Sequence, residues 1–134
     1  MRKFDLLERA SSDIGMAEKA LSDFDEEIYL DQASYHVQQA IEKIFKYHMS
    51  VGTKVPFPKV HDFDKLCDFA DTHQIPCPKW ISDNSARLSD FESETRYGTD
   101  LVASRRTIIK FLELAKSYLR DSQQNRQIDK MDLF

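Results

Sequence analysis

Gln38, Gln39, Glu42, Lys43 and Lys46 crowd the middle of one uninterrupted segment, Ile28 to Gly52, which reads IYLDQASYHVQQAIEKIFKYHMSVG. Amide, carboxylate and ammonium groups at this spacing offer donors and acceptors together, a combination that suits a phosphate or the edge of a nucleobase. On a helix, Gln39, Lys43 and Lys46 fall within one face, with Gln38 and Glu42 flanking it. A solvated helix face uses the same residues more simply, with Glu42 and Lys46 as an i, i+4 ion pair worth a few tenths of a kcal/mol.

Arg96-Tyr97 is the second candidate. Arginine suits two-point contact with phosphate or carboxylate, and the segment reads as a loop, where binding residues concentrate. Its plainer role is an ion pair with Glu92 or Glu94 that pins the loop over Tyr97. His61-Asp62 is the third. Asp62 can stabilise the first turn of a helix through the dipole and its free N–H groups, while His61 can reach a ligand or the end of the preceding helix. Capping and packing are the plainer roles of this pair.

Cys67, His73 and Cys77, with His61, fit no compact ligand knuckle, and no CxxC pair occurs. No metal is expected, and both cysteines read as buried, structural thiols. The chain has no Gly-rich phosphate loop and no nucleophile elbow, so no catalytic residue and no cofactor are assigned.

Apolar periodicity supplies the elements that must hold these groups. A first helix is expected over Lys3 to Phe24, its stripe made by Leu6, Leu7, Ile14, Ala17, Leu21 and Phe24. Ala10, Gly15, Ala17 and Ala20 let a neighbour approach closely. The second helix follows from Leu30, Ala33, Val37, Ala40, Ile41 and Ile44, and Gly52 with Pro56 and Pro58 stops it. His36 and His48 sit at the edge of its packing face. A third helix runs from about His61 to Thr72, a fourth from Pro78 to about Ser93, and a fifth, capped by Thr99 or Asp100, to about Asp121.

These elements make an all-α, up-and-down antiparallel bundle of about five helices, three long and two short. Residues 1–120 form the bundle and 121–134 a polar C-terminal tail, helical or frayed. Val37, Ile41, Ile44, Leu66, Trp80, Phe91, Ile108 and Leu112 are the expected core.

Only three glycines and four prolines in 134 residues agree with few, long elements. The net charge of −4 gives no global sign of a nucleic-acid surface, although Lys43, Lys46, Lys54, Lys59, Arg105 and Arg106 could gather locally. No apolar run approaches a membrane span, and the early acidic residues are unlike a secretory signal. A cytoplasmic protein with free thiols is expected. Phe4, Tyr29, Phe57, Tyr118 and Phe134 are hard to place in one small core, so some are expected to line a homodimer interface.

The string Gln38-Gln39-Ala40-Ile41-Glu42-Lys43-Ile44-Phe45-Lys46 resembles the second helix of HEPN domains (higher eukaryotes and prokaryotes nucleotide-binding). The small-residue first helix, His61-Asp62 and Arg96-Tyr97-Gly98 follow in the same order, so the resemblance covers about residues 4–120. It implies a helical bundle, often dimeric, that binds a nucleotide or RNA or pairs with a minimal nucleotidyltransferase in toxin–antitoxin-like systems. HEPN ribonucleases carry an Arg followed, after four to six residues, by a His. Arg96 is followed by Tyr97-Gly98-Thr99-Asp100-Leu101-Val102-Ala103, and none of the four histidines has an Arg at that spacing. A non-catalytic HEPN protein is therefore expected. The alternatives are a HEPN ribonuclease toxin with a degenerate active site and a structural dimerisation module.

Overall fold

A computed structural model describes residues 5–23, 28–91 and 104–131, the last five (127–131) by backbone alone. Its elements are α1 (Leu6–Asp23), α2 (Ile28–Gly52), α3 (Phe63–Thr72), α4 (Lys79–Ser82), α5 (Ser85–Asp90) and α6 (Arg105–Met131). The described residues contain no strand, and the fold is an all-α bundle. None of its helices is long and apolar enough to cross a membrane.

Local chemistry sets several boundaries. Asp5 accepts a hydrogen bond from the Glu8 N–H at 2.8 Å while Glu8 reaches back to the Asp5 N–H at 3.4 Å. This reciprocal cap starts α1 at Leu6, later than the expected Lys3. Asp62 caps α3, its carboxylate accepting from the N–H groups of Asp64 and Lys65. Ser104 Oγ accepts from the Thr107 N–H at 3.2 Å and opens α6. The caps expected at Thr99 or Asp100 lie outside the described residues. At its other end α6 continues past Asp121 to Met131, and Arg126 reaches Asp5 at 2.7 Å.

The single fourth helix expected over 78–93 is two short ones. Asn84 adopts φ −122° and ψ 20°, and its side-chain amide donates to the Trp80 carbonyl at 2.7 Å. That bond takes the acceptor a continuing helix would use, so the chain turns between α4 and α5.

The principal packing is α1 against α2, with α6 laid along both and α3 against α4 and α5. Small residues make the first contact close, since Ala10, Ala17, Ala33 and Ala40 are fully buried. Gly15 takes no part in it: its position is exposed, and an added Cβ would meet nothing within 4 Å. Gly52 does mark a close approach, because a Cβ there would stand 3.1 Å from the Ile75 side chain.

Of the expected core, Val37, Ile41, Ile44, Leu66, Phe91, Ile108 and Leu112 are buried. Trp80 is only half-buried, resting edge-on against Tyr118 with ring centroids 5.7 Å apart. Two aromatics assigned to a dimer surface belong to the chain's own packing. Phe57 lies beneath the Lys46 ammonium at 5.5 Å, and Tyr118 packs against the core. Phe4 and Phe134 lie outside the described residues.

Candidate functional site

The polar string of α2 points inward. Gln38 is 0% exposed, Glu42 3%, and Gln39 and Lys46 8% each, although periodicity places them outside the apolar stripe. Residues 37–42 are buried without a break, as befits a helix covered on nearly every side. Buried polar groups must find partners or lose their hydration free energy uncompensated, and these find one another.

Glu42 is the hub. Its carboxylate accepts from Gln38 Nε2 at 2.9 Å, Lys46 Nζ at 3.0 Å and His61 Nδ1 at 2.9 Å. Gln39 Nε2 donates to Gln38 Oε1 at 2.7 Å, and Lys46 Nζ donates a second bond to the Val60 carbonyl at 3.1 Å. Because a carboxylate only accepts, His61 carries its proton on Nδ1 and leaves Nε2 toward solvent-accessible space. His61 is the outermost member, its side chain 54% exposed. The connection between α2 and α3 is thus tied to the middle of α2 through Val60 and His61.

Lys43 belongs to a second cluster. With His36, one helical repeat earlier, it faces α1 and donates to Asp13, as does His36 Nδ1 at 2.9 Å. Asp13 is 8% exposed. Burial alone would raise its carboxyl pKa, but the hydrogen bonds from His36 and Lys43 outweigh it and hold the carboxyl below its usual 3.8. Sequence reasoning missed Asp13. The available signal was an acid set among Ala10, Ile14 and Ala17, inside the apolar stripe of the first helix.

His36 also edges a groove of about 420 Å³ between α1 and α2, lined by Met16, Lys19, Ala20, Ile28, Tyr29 and Gln32. Exposed Met16 and Ile28 give it apolar walls. Farther along α2, His48 Nε2 lies 2.7 Å from Ser122 Oγ, whose own proton goes to the Tyr118 carbonyl at 2.7 Å. Ser122 therefore accepts from His48, and burial holds the His48 pKa below its usual 6.5.

The expected site residues accordingly separate. Gln39, Glu42, Lys46 and His61 form one connected network, whereas Lys43 pairs across the bundle with Asp13. Arg96 and Tyr97 lie outside the described residues. Among the described residues no group of three or more His, Cys, Asp or Glu side chains is placed to hold a metal ion.

No curated protein and no solved structure matches the chain. A family model does match, the HEPN domain, over residues 4–125. That span contains α1 to α5, both polar clusters and most of α6. With nearly its whole length matched, the chain belongs to the HEPN domain family.

Proposed function

We propose that this HEPN chain is a non-catalytic binding module that acts beside a minimal nucleotidyltransferase, as one half of a toxin–antitoxin-like pair. Membership of the family points to nucleotide- or RNA-related work. The observation that carries the non-catalytic reading is the saturation of Glu42. Its carboxylate already accepts from Gln38, Lys46 and His61, and buried Lys46 commits two of its three N–H donors to Glu42 and Val60. A general base must be free to take a substrate proton, and a phosphate clamp must have donors to spare. This network has neither to offer in its interior. It holds His61 at the surface, where the remaining ring nitrogen, an acceptor in that tautomer, can meet an N–H of a base edge or of a partner's backbone. Arg96 and Tyr97, which precede α6 in the chain, would complete that contact, whereas Lys43 is committed to Asp13. The paired enzyme would carry the metal-binding carboxylates, and the HEPN chain itself would act as a homodimer.

Calorimetry with ATP and with a short RNA tests the reading, using wild-type protein and the His61→Ala and Arg96→Ala variants. Binding that weakens with rising salt and in both variants supports a charge-led nucleotide site. If neither ligand binds at millimolar concentration, co-purification with a minimal nucleotidyltransferase decides whether the face docks such an enzyme. RNA cleavage by the wild type that disappears in Arg96→Ala overturns the non-catalytic reading. A mass of one 15.7 kDa chain by light scattering at micromolar concentration overturns the homodimer.

A further inference from the structure

Cys67 on α3 and Cys77, in the turn before α4, place their sulfurs 3.8 Å apart. Both are reduced, and both are half-buried rather than sealed in the core. Closing them to a disulfide requires a movement of only about 2 Å, since bonded sulfurs stand about 2.05 Å apart. The turn is held by Pro76 and Pro78 on either side of Cys77, so the thiol is presented from a stiff piece of backbone.

The two thiols are not equivalent. Cys77 turns its S–H toward the Pro78 carbonyl at 3.6 Å, which leaves Cys67 to donate in the bond between the sulfurs, and that bond pulls the Cys77 pKa below its usual 9.0. The same hydrogen bond, with burial, pushes Cys67 in the opposite direction. That hydrogen-bond direction favours Cys77 as the attacking thiol and Cys67 as its partner. Tyr118 adds an independent observation. Its hydroxyl is the only buried side-chain oxygen or nitrogen among the described residues that lacks a hydrogen-bond partner. Tyr118 lies close enough to both thiols for their charge to raise its phenol pKa, after the larger effect of burial.

We propose that Cys67 and Cys77 form a reversible redox-modification site that takes a peroxide as its oxidant. Cys77 Sγ attacks one peroxide oxygen, the O–O bond breaks, and the released hydroxide takes up the thiol proton and leaves as water. Cys77 is then a sulfenic acid. Cys67 Sγ attacks that sulfur, the S–S bond forms, the S–O bond breaks, and a second water departs with the Cys67 proton. Two thiols lose two electrons in all, and one peroxide becomes two waters. The product fastens α3 to the turn before α4, and a dithiol reductant reverses it. Trp80, three positions after Cys77 and stacked edge-on to Tyr118, lies beside the change.

The test treats the full chain with hydrogen peroxide and follows intact mass, free-thiol count and Trp80 fluorescence. The expected product is a monomer lighter by two hydrogens that has lost both thiols together, with altered fluorescence restored by dithiothreitol. In Cys67→Ser, dimedone should trap a sulfenic acid at Cys77. In Cys77→Ser, the remaining Cys67 thiol should react more slowly than Cys77 does in Cys67→Ser, because burial and the nearby Asp64 and Asp71 still disfavour its thiolate. Dimedone labelling at Cys67 instead of Cys77, independent loss of the two thiols, or disulfides only between chains would each overturn the proposal. Circular dichroism of the two variants, expected to match the wild type, separates a lost reaction from a lost fold.

Discussion

Lys43 of α2 grips Asp13 of α1 across the most extensive helix contact of the bundle, and His36 holds the other carboxylate oxygen at 2.9 Å. The Asp13 side chain is 11% exposed, so its charge is matched inside the contact rather than by water. Removing it leaves the His36 and Lys43 donors without their partner in the contact. Asp13→Ala should therefore lower unfolding free energy by about 1.5 to 3 kcal/mol, the range for hydrogen bonds to charged groups. Urea denaturation of Asp13→Ala, Lys43→Met and the double variant provides the check. Additive losses would show that the two residues do not act as a pair.

Glu42 calls for a larger effect. In Glu42→Gln the new amide can accept only through its one oxygen and would turn a donor toward Lys46, which is 10% exposed in its side chain. A buried ammonium left with the Val60 carbonyl and the Phe57 ring has no counter-charge. The expected loss is about 3 kcal/mol or more. Lys46→Met in the same background should recover part of it, because the stranded charge is then gone. A Glu42→Gln protein with an unchanged urea midpoint would deny the network its role in holding the connection from α2 to α3.

The contrast between α2 and the later segments shows what a sequence can reveal. The bounds of α2, Ile28 and Gly52, were legible because apolar spacing fills it and Gly and Pro residues end it. The Gln38-Gln39-Glu42-Lys46 string was legible as a unit, but not its inward orientation. Periodicity sorts residues by polarity, and a helix surrounded by α1, α6 and the 53–62 connection buries polar positions as well. The division of the fourth helix hinges on one side-chain bond from Asn84 to a carbonyl, which no apolar pattern records. Asp13 needed the third dimension, since His36 and Lys43 come from another helix.

Gly15 supplies a prediction of the opposite sign. It lies inside α1, is exposed, and has open space where a Cβ would stand. Glycine in a helix interior costs about 0.5 to 1 kcal/mol relative to alanine, through the freedom it loses on folding. Gly15→Ala should raise stability by about that amount, seen as a higher thermal midpoint. A lower midpoint would mean that another surface, such as a second chain, covers this position closely.

His48 makes stability depend on pH. Its ring stacks on Tyr118 with centroids 5.4 Å apart, donates to Ser122, and is desolvated enough to hold its pKa below 6.5. Below pH 6.5 the unfolded chain takes up this proton more readily than the folded one. Stability contributed by neutral His48 is thus intact above 6.5 and is lost as pH falls from there to the folded pKa. Asp13 acts in a separate, lower window. Its folded carboxyl is held below 3.8, so its contribution survives above 3.8 and is lost as pH falls through the folded pKa. Urea midpoints measured down the acid range should therefore decline in two stages. His48→Gln keeps an amide donor for Ser122 but cannot be protonated, so it should flatten the upper stage and leave the lower one. An acid limb that is the same in His48→Gln and wild type would show that the buried imidazole does not govern the upper stage.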